Sequence, residues 1–232
     1  HGESCDIQLT SLLDGVDMLL IGGPPLGMDQ RQTLAEMAAF LHISRLSWKK
    51  WDRSPPEPIF QAVPLSVSFG KARVPFPAGA FLQATQAGEE ALVDFAKSVC
   101  KTGARVLDLF CGLGTFGMSF DNAKTVHFVD LDGPSVDALT TQAKAAVGKY
   151  KVTLRNLFNI PMTTAECNEY DLVIYDPPRA GAKRQAINLA KSEVPDIVAV
   201  SCNPKTFAQE AKILIDGGYR IVSILPVDQF LW

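Results

Sequence analysis

One cysteine stands where a reactive thiol would be built. Cys202 follows the apolar run Ile197–Ser201, which reads as a buried strand, and precedes Asn203, Pro204 and a helical pattern over Lys205–Gly217. Asn is a favoured helix N-cap and Pro a favoured first helical residue. The spacing therefore predicts the thiol at the carboxyl end of a strand, facing a helix N-terminus. Exposed amides and the helix dipole at such a place favour the thiolate, and in an open α/β sheet it is the edge where ligands bind. The chemistry this suggests is nucleophilic addition by sulfur. The competing reading is a small buried hydrophobe, the commoner fate of a cysteine. The neighbouring motifs favour the nucleophile.

Two further motifs end strand-like runs. Asp108-Leu109-Phe110-Cys111-Gly112-Leu113-Gly114-Thr115-Phe116 closes the first of them in a glycine turn, where backbone amides can approach a ligand closely. Gly112, Gly114 and Gly117 also satisfy the G-x-G-x-x-G spacing of a dinucleotide site, with Asp130 near the place of a ribose-binding acid. Asp108 inside the strand, just before the glycines, points instead to S-adenosylmethionine; both ligands remain open on this motif alone. Asp130 ends the next run, placed either to accept two ribose hydroxyls or to cap the helix that begins near Pro134. Asp176-Pro177-Pro178-Arg179-Ala180-Gly181 ends the fourth run, and its prolines fix a rigid extended turn that holds the Asp176 carboxylate at the sheet edge. Enzymes that methylate exocyclic amines place an aromatic residue after the two prolines. Arg179 stands there, which counts against that reaction and leaves Asp176 to touch the donor or the edge of a base.

The elements that must position these groups follow from alternation. From Lys101 onward, apolar runs at Arg105–Phe110, Thr125–Asp130, Lys151–Leu154, Asp171–Tyr175, Ile197–Ser201 and Tyr219–Leu225 alternate with helical stretches, clearest at Ser135–Val147 and Thr206–Asp216. That pattern predicts an α/β fold with a mostly parallel, doubly wound sheet. Residues 1–75 differ and read as a smaller α+β accessory region. Cys5–Thr10 and Val16–Ile21 form a hairpin pattern around Asp14-Gly15, Gln30–Leu41 a helix, and Ile43–Trp48 a strand. Ser54–Pro58 reads as a linker, and Ile59–Phe69 and Phe76–Gln83 as further short strands. Gly88–Cys100 is the helix leading into the sheet, so the second domain is expected over 76–232.

Composition bounds the function. The chain has 232 residues, 47% of them hydrophobic and 20% charged, with a net charge of −3. A generally basic nucleic-acid binder is excluded, so any RNA contact must use a local patch. Lys49, Lys50 and Arg53, interleaved with Trp48 and Trp51, could be such a patch or a plain solvated strand end; Arg179, Lys183 and Arg184 lie nearer the expected site mouth. Five cysteines without C-x-x-C pairing fit free thiols in a reducing compartment. With no membrane-length apolar run and a polar start, a cytoplasmic chain without membrane contact is expected.

The order of glycine loop, Asp176-Pro177-Pro178-Arg179 and Ser201-Cys202-Asn203-Pro204 resembles the RNA uracil-C5 (5-methyluridine) methyltransferase family. The likeness covers about Ala80 to Trp232. It implies a class I Rossmann-like methyltransferase fold, S-adenosylmethionine as cofactor, and rRNA or tRNA as partner. Phe81-Leu82-Gln83-Ala84-Thr85 is similar to the family's Phe-x-Gln-Val-Asn segment, departing at Ala84 and Thr85. By that resemblance Gln83 contacts the donor and Phe81 the target base, while Phe110, Thr115, Asp130, Asn156 and Asp176 match further donor-contacting positions. Uracil C5 is too weak a nucleophile to take a methyl directly. A Cys202 thiolate adding to C6 would activate it, and the base must be splayed out to reach the thiol.

Two departures qualify the likeness. Many members carry a four-cysteine iron–sulfur site and an amino-terminal RNA-binding barrel, but only Cys5 precedes Cys100 here, so no such cluster is expected within these residues. The segment Pro226–Trp232 resembles the stretch just before the family's histidine–glutamate element, whose glutamate is the general base. A fragment of a longer chain is thus expected, with Tyr219–Leu225 as an edge strand and the base beyond Trp232. The rival readings are a nicotinamide-dependent oxidoreductase using the same glycine loop and a non-catalytic remnant that binds donor or RNA. A monomer is the default.

Overall fold

The computed structural model describes residues 4–52 and 54–229. Among them two compact units separate: His1–Ser68 together with Arg73–Phe81, and Phe69–Ala72 together with Leu82–Trp232.

The first unit is built on a hairpin. Strands β1 (Cys5–Leu12) and β2 (Gly15–Gly22) pair antiparallel from Cys5 opposite Gly22 to Leu12 opposite Gly15. Helix α1 (Met28–Phe40) then leads to β3 (Arg45–Lys49), parallel to β2, and β4 (Glu57–Gln61) returns antiparallel to β3. The sheet order is β1-β2-β3-β4. Ala38, Leu34 and Met37 of α1 cover Ile43, Leu46, Met18 and Leu20. Ser54–Pro58, expected as a linker, ends inside β4. A short hairpin follows, β5 (Ser66–Phe69) with β6 (Ala72–Pro75).

Phe76–Gln83, expected as a strand, is a loop. Pro75 and Pro77 carry no N–H for a ladder. The carbonyl of Phe76 is taken by Arg45 Nη1 at 2.7 Å, and the Gly79 amide by Asp17 Oδ2 at 3.2 Å. Asp17 and Arg45 are themselves a buried ion pair, with Arg45 Nε donating to Oδ1 at 2.7 Å. The pair binds this loop through Arg45 Nη1 and Asp17 Oδ2 and so holds it to the central strands β2 and β3, while Arg45 Nη2 is buried with no partner among the described residues.

The second unit starts with α2 (Gln86–Val99), capped by the Thr85 hydroxyl. It continues with β7 (Arg105–Leu109), β8 (Thr125–Asp130), α3 (Gly133–Ala145), β9 (Tyr150–Leu154), α4 (Thr164–Cys167), β10 (Leu172–Tyr175), α5 (Lys183–Ala190), β11 (Asp196–Ala199) and α6 (Pro204–Asp216). All five strands are parallel, in the order β11-β10-β7-β8-β9. The order reverses at β7, so the crevice for a ligand opens beyond the carboxyl ends of β7 and its neighbours. Leu107, Leu109, Val173 and Tyr175 pack with Leu157, Met162, Ala186 and Leu189 in one dry cluster that fixes those ends. No described helix is long and apolar enough to cross a membrane.

Tyr219–Leu225, expected as an edge strand, pairs with no strand among the described residues. Tyr219 is held by its hydroxyl, which donates to the carbonyl of Val194 at 2.9 Å. Beyond it Ile221, Val222, Ile224 and Leu225 are largely exposed. A β-branched run describes side chains suited to a pleated, half-buried surface; the ladder itself needs an adjacent edge.

Candidate active site

At the end of β7 the chain turns through Phe110, which holds a left-handed φ of 59°. A non-glycine residue there is strained unless its surroundings impose the conformation. Here they do: the Phe110 amide donates to Val129 O at 2.9 Å, and its ring sits 5.4 Å from Phe158 and 6.0 Å from Tyr175. Gly112 follows with φ of 51°, and a methyl group there would meet nothing within 4 Å, so the turn is open on that side. At Gly117 a methyl group would fall 2.5 Å from the Phe128 ring and 2.8 Å from Asp108 Oδ2. This glycine lets the turn close onto the sheet. What comes next is a three-residue 3-10 turn, Gly117–Ser119, and not an α-helix. The nicotinamide alternative loses its footing here, because a dinucleotide pyrophosphate rests on the N-terminus of a full helix after this loop.

Asp108 lies under the turn with 0% exposure. Its Oδ2 accepts from the Gly117 amide at 2.9 Å, while Oδ1 is buried with no partner among the described residues. Burial pushes this carboxyl up to about 8, against the pull of the Gly117 amide and with added repulsion from Asp176 and Asp130. Asp176, half-buried at the end of β10, is likewise pushed up by burial, to about 7. Two acids that resist ionisation in a crevice are a favourable setting for a cationic ligand, which would restore their charge.

Asp130 is not a helix cap. The cap of α3 is Asp132, whose Oδ2 accepts from Ser135 N at 3.0 Å. Asp130 instead accepts from Gly112 N and from Asp132 N, both at 2.8 Å, and so ties the end of β8 to the glycine turn. Asn156 organises the loop after β9, its Oδ1 accepting from Phe158 N at 3.0 Å and Asn159 N at 3.1 Å. Thr115 is half-buried in the glycine turn, between Gly114 and Phe116.

The Cys202 loop is built as the sequence suggested. Asn203 caps α6, accepting from Lys205 N at 3.1 Å, with Pro204 as the first helical residue. Cys202 itself is exposed and free, at the carboxyl end of β11. Asn203 Nδ2 donates to the carbonyl of Arg179 at 3.1 Å, which joins this loop to the Asp176–Arg179 turn on the neighbouring strand. The other cysteines are Cys5, exposed, and Cys100, Cys111 and Cys167, all buried.

Sequence reasoning missed two residues that support this end of the sheet. Glu210, in α6, is buried and accepts from Ala182 N at 2.5 Å, while Tyr175 donates to Ala182 O at 2.9 Å. A glutamate in the middle of a helix carries no motif signal. Phe158 stacks near Phe110 and is 38% exposed, and nothing in the spacing marks it.

Several basic candidates are already engaged. Arg184 donates to the carbonyls of Phe158 and Asn159, both at 3.0 Å, and so pins the loop held by Asn156. Trp48 is buried, its Nε1 donating to Gly22 O at 2.8 Å, and Lys49 Nζ bonds Asp52 O at 3.1 Å. An exposed Trp51 with Lys50 5.1 Å over its ring remains of that patch; Arg53 lies outside the described residues. Arg179 is exposed, and Phe81, in the first unit, is 76% exposed.

Residues 63–232 match the tRNA (uracil-5-)-methyltransferase family. An uncharacterized RNA methyltransferase of Mesorhizobium japonicum is 40% identical over 99% of this chain and 55% of its own. The 23S rRNA (uracil(1939)-C(5))-methyltransferase RlmD of Shewanella piezotolerans is 28% identical over 97% of this chain and 52% of its own. The chain thus spans about half the length of the curated relatives it matches. In fold it is similar to the Pyrococcus abyssi tRNA (uracil-54, C5)-methyltransferase, solved with S-adenosyl-L-homocysteine. That likeness has a TM-score of 0.72 at 21% identity, covering 97% of this chain and 56% of the other. The chain belongs to the tRNA (uracil-5-)-methyltransferase family.

Proposed function

We propose that this chain carries the donor-binding and nucleophilic half of an RNA uracil-C5 methyltransferase, with S-adenosylmethionine as donor and a uridine of rRNA or tRNA as acceptor. The observation that supports it best is the Asn203–Arg179 bond, which ties the loop of an exposed thiol to the Asp176–Arg179 turn at the ends of adjacent strands. A packed structural cysteine has no reason to be exposed on a capped loop in the crevice.

The donor fits the residues present. The open side of the Gly112 turn admits a ligand against backbone, and Asp108 and Asp176 would regain charge beside a sulfonium or ammonium group. When bound, the donor supplies an electrophilic methyl on sulfur. Phe110 and Phe158 would offer apolar surface to its adenine, and Asp130 would accept from its ribose hydroxyls through lone pairs not used by Gly112 and Asp132.

Cys202 does the covalent work. Its thiolate would bond to C6 of the flipped uracil, and the C5–C6 π electrons would form the C5–methyl bond while the pair of the broken methyl–sulfur bond stays on the donor sulfur. A general base then removes the C5 proton, the electron pair restores the C5–C6 double bond, and the Cys202 sulfur leaves with its electrons. Asp176, held by the two prolines, would hydrogen-bond the uracil edge or the donor; Arg179 and Phe81 would contact the RNA. Mass mapping of uridines in RNA incubated with labelled donor tests the reading. The expected result is label on C5 of a uridine, and label on a base nitrogen or on the ribose would refute it.

A further inference from the structure

Gln229 reaches the start of α2 and meets Gln83 there. Its Oε1 accepts from Ala84 N at 3.1 Å, and its Nε2 donates to Gln83 Oε1 at 3.0 Å. Chemistry fixes the direction of both bonds. A backbone amide only donates, so the Gln229 atom facing Ala84 must be the carbonyl oxygen. The other end of Gln229 is then its NH2, which only the carbonyl oxygen of Gln83 can receive. Gln83 keeps its own NH2 unspent, with no acceptor for it among the described residues.

The seat beneath Gln229 is equally specific. A methyl group at Gly88 would lie 2.7 Å from Gln229 Cγ, 2.9 Å from its Cδ and 2.9 Å from the capping hydroxyl of Thr85. Gly88 is inside the first turn of α2, where alanine is the better helix former. Glycine here keeps room for the glutamine and for the Thr85 cap.

We propose that Gln229 is a positioning residue: seated on Gly88, it locks the Gln83 carboxamide so that the NH2, and not the carbonyl, faces the methyl donor. The proposal rests on the reading of Gln83 as a donor contact and adds what it recognises. An NH2 with no carbonyl beside it selects an acceptor, and the anionic acceptor on S-adenosylhomocysteine is its carboxylate. Gln83 lies two residues before the cap of α2, where the positive end of the helix favours the same anion.

Calorimetry on the whole chain with S-adenosylhomocysteine and with adenosine, which lacks the amino-acid end, tests this. Gln229→Glu keeps the acceptor for Ala84 but turns the donor into a second acceptor, so Gln83 must flip its NH2 away from the ligand. Affinity for S-adenosylhomocysteine should fall about tenfold, as for one lost hydrogen bond to a charged group, while adenosine binds as before. The uncharged Gln229→Leu and the helix-favouring Gly88→Ala should show the same selective loss. Gln229→Leu added to Gln83→Ala should cost nothing further. Unchanged affinity in Gln229→Glu, equal losses for both ligands, or additive losses in the double variant would overturn the inference. A wild-type chain that binds neither ligand would overturn the donor reading itself, and the inference with it.

Discussion

The two acids at the crevice carry a penalty that the fold accepts. An unfolded aspartate ionises near pH 4, whereas burial holds Asp108 protonated up to about 8. Between those values the folded chain keeps a proton that the unfolded chain has lost, so stability falls as pH rises through the window. Asp176 adds the same sign up to about 7. Asp108→Asn, which still offers an oxygen to the Gly117 amide, should flatten the fall in thermal midpoint between pH 5 and pH 8. A pH profile identical to that of the wild type would show that Asp108 is charged in the folded chain. Asp130 makes a second prediction at this scale. Its carboxylate already receives two backbone amides, so Asp130→Ala should weaken S-adenosylhomocysteine binding by about 1–3 kcal/mol through unpaired groups. Unchanged affinity on calorimetry would confine Asp130 to bracing the turn.

At the scale of elements, the parallel sheet was legible because buried strands are continuous apolar runs separated by helical periods. The Cys202 loop was legible because Asn203 and Pro204 are strong local signals, and both act as capping chemistry requires. What escaped was set by distant partners. Phe76–Gln83 has strand-like residues, yet Asp17 and Arg45 claim its polar groups. Tyr219–Leu225 has the composition of a strand but pairs with no strand among the described residues. The tie between the Asp176 turn and α6 depends on Glu210, whose role exists only once the chain is folded. Glu210→Ala would leave the Ala182 amide buried and unpaired, at a cost of about 1–3 kcal/mol in denaturant unfolding. It should also lower methyl transfer more than donor affinity, because it loosens the turn beside Cys202. Equal stability of variant and wild type would show that water replaces the carboxylate.

At the scale of the molecule, a net charge of −3 leaves the proposed RNA contact to local chemistry. In the first unit, among the described residues of the expected basic cluster, Lys50 lies over an exposed Trp51, a pairing suited to one phosphate and one stacked base. Trp51→Ala should lower RNA affinity at all salt concentrations, and Lys50→Ala should reduce the salt slope by about one. Filter binding across a salt series that leaves both quantities unchanged would make this a solvated corner of the sheet.

The account as a whole turns on Cys202 forming a bond to C6 of uracil. RNA carrying 5-fluorouridine tests that directly, since fluorine at C5 cannot leave as a proton does and the adduct cannot resolve. With S-adenosylmethionine present, the protein should form a denaturation-resistant complex whose peptide map places the methylated base on Cys202, and Cys202→Ser should form none while still binding S-adenosylhomocysteine. An adduct that persists in Cys202→Ser, or maps to another residue, would contradict the account.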